Sequence, residues 1–256
     1  MNSAVVASWN IQLVALSFLI SVVGSFAALT AANRIRRADG SLDFANLATA
    51  GFAMGGIGVW SMHFVGMAAL KLDVATGYSL TETLISLVAA VVAATLALMY
   101  VAKDAHSLKR IVGAGAVLGV GVAVMHYLGM FGVRFNGYVQ WNYAVVGVSV
   151  LIAVVAATAA LWLAFNTHTW TLRGLAAVLM GVAVCTMHYT GMSAADYVCT
   201  SANRRLFPIG WGVIGASDLP TVVIAVSLTI ALLILVDQVV QRMQSSRGQQ
   251  ADPARG

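Results

Sequence analysis

Met62-His63-Phe64-Val65-Gly66-Met67, Met125-His126-Tyr127-Leu128-Gly129-Met130 and Met187-His188-Tyr189-Thr190-Gly191-Met192 are three copies of one pattern, Met-His-aromatic-x-Gly-Met. The histidines are spaced 63 and 62 residues apart, and a glycine (Gly56, Gly119, Gly181) stands seven residues before each. Recurrence at near-constant spacing marks an internal repeat. On a helix, residues four apart share a face, so each histidine has the second methionine of its copy one turn along. The glycine three residues on lies near the same face and leaves space for a guest or a neighbouring helix. The first methionine of each copy points roughly one residue's rotation away.

Around these copies the chain is apolar. Of 256 residues, 60% are apolar and 9% charged, and the mean hydropathy is +0.88. A soluble domain carries about a quarter charged residues, so this composition specifies an integral membrane protein. No basic stretch interleaved with aromatics supports nucleic-acid binding. Cys185 lies in an apolar run and Cys199 in a polar loop, which does not make a disulfide framework. No Lys or Arg precedes Arg34, so the first apolar stretch lacks the basic start of a cleaved signal peptide and reads as a retained span.

Seven segments, about 11–32, 48–67, 81–102, 111–132, 143–165, 174–194 and 219–240, have the ~20 apolar residues that a helical span needs. The expected fold is all-α, with seven transmembrane helices built as three repeated helix pairs (11–71, 81–134, 143–196) plus a final helix, 219–240. Residues 1–240 form one domain in this reading, and 241–256 form a short, polar, irregular cytoplasmic tail. Ser79 with Glu82 is a capping-box start for the third span. Arg34, Arg36, Arg37, Lys103, Lys109, Arg110, Arg173, Arg242, Arg247 and Arg255 fall on one side, against Lys71, Arg134, Arg204 and Arg205 on the other. The positive-inside rule then places the N-terminus outside, the C-terminus in the cytoplasm and all three motifs near the outer face of a bacterial inner membrane.

A buried intramembrane histidine is costly unless it pairs, lines water or binds something. Three at one depth on repeat-related helices point to a metal, with His63, Met67, His126, Met130, His188 and Met192 as ligands. Met62, Met125, Met187 and Cys185 are secondary candidates, though a buried cysteine is ordinarily filler. Thioether and imidazole are soft, uncharged donors that suit copper. Spans two, four and six contain no Asp or Glu, which argues against calcium and magnesium. Phe64, Tyr127 and Tyr189 fit an interfacial aromatic belt, and a tyrosine hydroxyl there can hold a histidine's second nitrogen. Asp73 and Asp196 follow the motif in outer loops, placed to guide a cation. His106 and His168 fall in cytoplasmic loops.

Met187-His188-Tyr189-Thr190 spells a known motif in full, and the pattern with seven spans resembles the MHYT family of bacterial integral-membrane sensor domains. The first copy has Phe64 and Val65, and the second Leu128, in place of Tyr or Thr, while His, Gly and Met persist. The resemblance covers about residues 7–240. It implies a signalling module that binds copper and senses O2, CO or NO. Separately, the sequence shows no nucleophile-base pair, phosphate loop or paired carboxylate, so an enzyme is not expected. Family members often carry a domain that makes or degrades cyclic di-GMP after the last span. This chain is expected to stand alone and to signal to a separate cytoplasmic partner. Two other readings stay open: a haem protein with two histidines as axial ligands, and a copper carrier or insertion factor.

Overall fold

The computed structural model describes residues 3–37, 39–167 and 169–251. His168 and residues 252–256 lie outside the described residues. Helix α1 is Ile11–Ala32, α2 is Phe44–Ala69, α3 is Leu80–Ala102, α4 is Leu108–Phe131, α5 is Tyr143–Asn166, α6 is Trp170–Met192 and α7 is Leu219–Ala251. The first six are long and apolar enough to cross a membrane. Helix α7 opens on apolar sequence and runs from Leu219 to Ala251. The segment 241–251, expected to be irregular, continues α7 as helix. Its Gln, Arg and Met residues have good helix propensity, which outweighs the polarity that suggested a loose tail.

Side-chain caps start several helices. Asn10 accepts from the amides of Gln12 and Leu13, Asp43 from Asn46, Asn142 from Val145 and Thr169 from Leu172. Each satisfies a backbone donor that the first turn leaves unpaired. Ser79 departs from the expected capping box: its hydroxyl meets the Glu82 carboxylate, which also pairs with Arg134, three residues past the end of α4. That contact ties the start of α3 to the segment that leaves α4.

Six helices form a closed ring in chain order, each packed on the next, with α6 returning to α1. Helix α7 packs outside this ring on α2, through Ser227–Ser61 (2.7 Å) and Thr49–Asp237 (3.0 Å). With α1, α3 and α7 around it, α2 is the most buried span. Its middle, Phe52–Ser61, is a π-helix, in which the Ser61 hydroxyl reaches the Gly56 carbonyl at 2.8 Å. Small residues allow the close packing. A Cβ on Gly55 would strike the Ala90 backbone, one on Gly119 the Val154 backbone, and one on Gly24 the Gly58 backbone.

Short strands close the motif end of the ring. These are β1 (Ser3–Ala4), β2 (Ala7–Trp9), β3 (Leu70–Leu72), β4 (Gly77–Ser79), β5 (Val133–Arg134), β6 (Gly137–Trp141), β7 (Ala195–Cys199) and β8 (Val213–Gly215). All pairings among the described residues are antiparallel: β2 with β3, β4 with β5 and β8, β7 with β6 and β1. The strand entering each helix pair therefore bonds to the strand leaving it, so each repeat is a β-α-α-β unit. The expectation of a purely helical chain needs this addition at the loops of the motif end. These strands are only two to five residues long, too short for alternation to show in the sequence.

Candidate metal centre

Helices α2, α4 and α6 each end in the motif just before an exit strand, so the repeat carries the three histidines to one level. His63, His126 and His188 are fully or almost fully buried. Their Nδ1 atoms form a triangle with sides of 3.1 Å (His63–His188), 3.1 Å (His63–His126) and 3.3 Å (His126–His188). The rings stand edge to face, with centroids 4.8–5.2 Å apart. Among the described residues, these three make up the one group of His, Cys or acidic side chains with metal-binding spacing.

Glycine makes this convergence possible. A Cβ on Gly129 would collide with Nε2 of His63, one on Gly191 with Nε2 of His126, and one on Gly66 with Nε2 of His188. Each imidazole thus occupies the space left by the next copy's glycine, in a cyclic order that closes the repeat on itself. The sequence showed that space but not which side chain fills it.

Protons alone do not satisfy this triangle. A neutral imidazole nitrogen either carries a hydrogen or offers a lone pair, and a closed ring of three N–H···N bonds needs every nitrogen to do both. At least one side of the triangle is left unmade. All three Nε2 atoms are also buried without a hydrogen-bond partner, and an orphan of this kind costs about 1–3 kcal/mol. One cation shared by three Nδ1 lone pairs removes the conflict at the centre. Imidazole nitrogens about 2.0 Å from one ion lie roughly 3.3–3.5 Å apart, close to the spacings seen here. The residues present therefore fit a metal ion.

The other candidates take varied places. Met67, Met130 and Met192 are buried together in an apolar cluster with Trp60, Phe64 and Tyr78. Met125 joins that cluster, Met187 packs with Ala123 and Ala153, and Met62 is buried. Cys185 is half-buried on α6, outside the histidine group, with its thiol toward Ser17. Asp73 pairs with Arg204 and accepts from the Val6 amide at 3.0 Å, so it fixes the N-terminal strand. Asp196 is exposed on β7, and His106 is exposed between α3 and α4.

The aromatic residues do not form the expected belt. Phe64, Tyr127 and Tyr189 each lie edge-on to the preceding histidine ring, at 4.7, 4.8 and 4.7 Å. Among the described residues, no tyrosine hydroxyl holds a nitrogen of His63, His126 or His188. Tyr127 bonds to Ser149 of α5 (2.5 Å) and Tyr189 to Ser17 of α1 (2.8 Å). In the first copy, which has Phe64, Trp60 takes over and donates to Ser86 of α3 (3.1 Å) and to the Thr83 carbonyl (2.9 Å). Each motif helix is thereby pinned to the next helix in the ring. Sequence reading overlooked these serines, although a signal was present: Ser17, Ser86 and Ser149 recur at one position of spans one, three and five.

A helical, multi-pass membrane protein with three repeat-related histidines at its centre is the class that fold and site define. The family model described as "Bacterial signalling protein N terminal repeat" matches residues 56–114 and 119–177, frames that open on Gly56 and Gly119. The chain belongs to this family, MHYT. It is 37% identical over 237 residues to the bifunctional diguanylate cyclase/cyclic di-GMP phosphodiesterase MucR of Pseudomonas aeruginosa, covering 89% of this chain and 34% of that protein. The cyclic di-GMP phosphodiesterase NbdA of the same organism is 32% identical (73% and 24% covered), and the signaling protein YkoW of Bacillus subtilis is 28% identical (74% and 24% covered). The chain spans about a third or less of these relatives. No solved structure matches it.

Proposed function

We propose that this chain is a membrane sensor in which His63, His126 and His188 hold one copper ion near the outer face, with Met67, Met130 and Met192 as additional soft donors. The observation that carries the reading is the buried Nδ1 triangle, 3.1–3.3 Å on a side and unsatisfiable by protons alone. The donor set favours copper: neutral imidazoles, nearby thioethers and no acidic residue in the motif helices. Haem fits these distances poorly. Axial nitrogens on iron lie about 4 Å apart with a macrocycle between them.

Bound copper would supply one-electron redox chemistry and affinity for a diatomic gas such as O2, CO or NO. The protein's own contribution is mechanical. The histidines join α2, α4 and α6, and the Tyr127–Ser149, Tyr189–Ser17 and Trp60–Ser86 contacts pass any change in ring orientation to α5, α1 and α3. Helix α2 also carries α7, through Ser61–Ser227 and Thr49–Asp237, toward the opposite face of the bundle. A ligand shifts such an arrangement only by its differential affinity for two states. The output goes to a cytoplasmic signalling partner or domain, in keeping with relatives named for cyclic di-GMP turnover. The charge distribution supports an orientation with the motifs outside.

Metal analysis of protein purified from native membranes, beside the His63→Ala, His126→Ala and His188→Ala variants, tests this reading. About one copper per wild-type chain, lost in each variant, is expected. Equal copper in all four samples overturns it.

A further inference from the structure

A cavity of about 40 Å³ lies inside the helix ring on the membrane side of the histidines. Its wall includes Val59, Val122 and Val184, each four residues before a histidine, and so about 6 Å, one helical turn, deeper. It also includes Ser25, Ala94 and Ala157. These stand eight residues after Ser17, Ser86 and Ser149, the equivalent serines of α1, α3 and α5. Every repeat thus contributes the same two positions, a valine from its motif helix and a small residue from its partner helix. All six ring helices contribute to the wall, so the cavity is shared among the three repeats rather than confined to one helix pair.

Its chemistry limits what it can hold. The remaining wall is Ala, Gly, Leu, Val and Met, and Ser25 alone brings a hydroxyl. A water needs two to four polar partners to stay in a cavity, and apolar cavities remain dry and take up apolar guests. The space suits a guest of about two or three heavy atoms. Empty, such a void costs stability in proportion to its volume, yet a small residue (Ser25, Ala94, Ala157) stands at that position in all three repeats.

We propose that this cavity is a binding site for a small, uncharged, apolar molecule drawn from the bilayer, held one turn beneath the histidine triangle. The valine ring separates guest from histidines, so the guest meets the centre from its membrane side, opposite the strand-capped end. The step from guest to histidines rests on the metal-sensor reading, whereas the cavity as a guest site does not.

Xenon is the probe, because it binds dry cavities without needing a metal. Full-length protein in lipid nanodiscs is followed by 129Xe exchange NMR. A resonance distinct from lipid-dissolved xenon is expected in wild type. Ala157→Val should weaken it, Ala157→Leu should reduce it about ten-fold or more, and Val122→Ala should strengthen it. Lipid-facing Val155→Leu should leave it unchanged. Absence of a bound resonance, or one indifferent to all of these substitutions, overturns the site. In protein shown by analysis to carry copper, the Cu(II) form should broaden the bound resonance relative to metal-stripped protein. An unchanged line width in that sample refutes the placement beside the histidines. Absence of copper instead defeats the metal reading, while the cavity variants still decide the guest site.

Discussion

Gly129 of the second repeat lies against Nε2 of His63 in the first, so closely that any side chain at 129 would enter the imidazole. Gly191 with His126 and Gly66 with His188 complete the cycle. Gly129→Ala, Gly191→Ala and Gly66→Ala should each displace a histidine and cost about 1–3 kcal/mol, as overpacking does in a tight interior. Thermal unfolding in detergent should show the loss, and metal analysis a matching fall in bound copper. Gly113→Ala is the control: a Cβ there meets nothing, so stability and copper should hold.

The aromatic–serine contacts allow an asymmetric prediction. In Tyr127→Phe, Ser149 still donates to the Val146 carbonyl, and in Tyr189→Phe, Ser17 keeps the Val14 carbonyl. Each loss should cost about 1 kcal/mol. Ser149→Ala and Ser17→Ala instead deprive a half-buried phenol of its partner and should cost more, toward the 1–3 kcal/mol of an orphaned group. Melting temperatures of the four variants check the order. Equal losses would show that the hydroxyls find other partners.

Asp43 gives a pH signature away from the membrane core. The hydrogen bond from the Asn46 amide, assisted by Arg37, holds its carboxyl below the ordinary value of 3.8. A lowered folded-state pKa means that the contribution is present at neutral pH and is lost as pH falls through that value. Asp43→Ala should cost about 1 kcal/mol at pH 7. Asparagine still caps, so the gap in melting temperature between wild type and Asp43→Asn should change only below about pH 4.

The α2–α7 contacts predict how the site is read out. Thr49→Val and Ser227→Ala each remove one side of a bond between these helices. If α7 follows α2, adding copper should change proteolytic nicking within 241–251 in wild type, and the double variant should show a smaller change.

Much of this arrangement was legible in the sequence because membrane spans and repeats leave strong signals. Span one was expected at 11–32 and forms Ile11–Ala32, and the shared level of the three histidines followed from equal spacing. What escaped depends on contacts between repeats. A run such as Phe52–Ser61 carries no local mark that distinguishes a π-helix from an α-helix. The aromatic residues have the composition of a belt, and only packing shows that Tyr127 and Tyr189 point to serines on neighbouring helices. The serine ladder of spans one, three and five was visible in principle. Serine in an apolar span is ordinarily packing, so the ladder carries no local mark of its partners.

X-ray absorption at the copper edge of metal-loaded protein addresses the central claim most directly, since it reports the atoms around the ion. About three imidazole nitrogens near 2.0 Å, with outer-ring scattering that weakens in each histidine variant, is the predicted result. A spectrum without imidazole scattering, or one unchanged when His63, His126 or His188 is removed, would contradict the account.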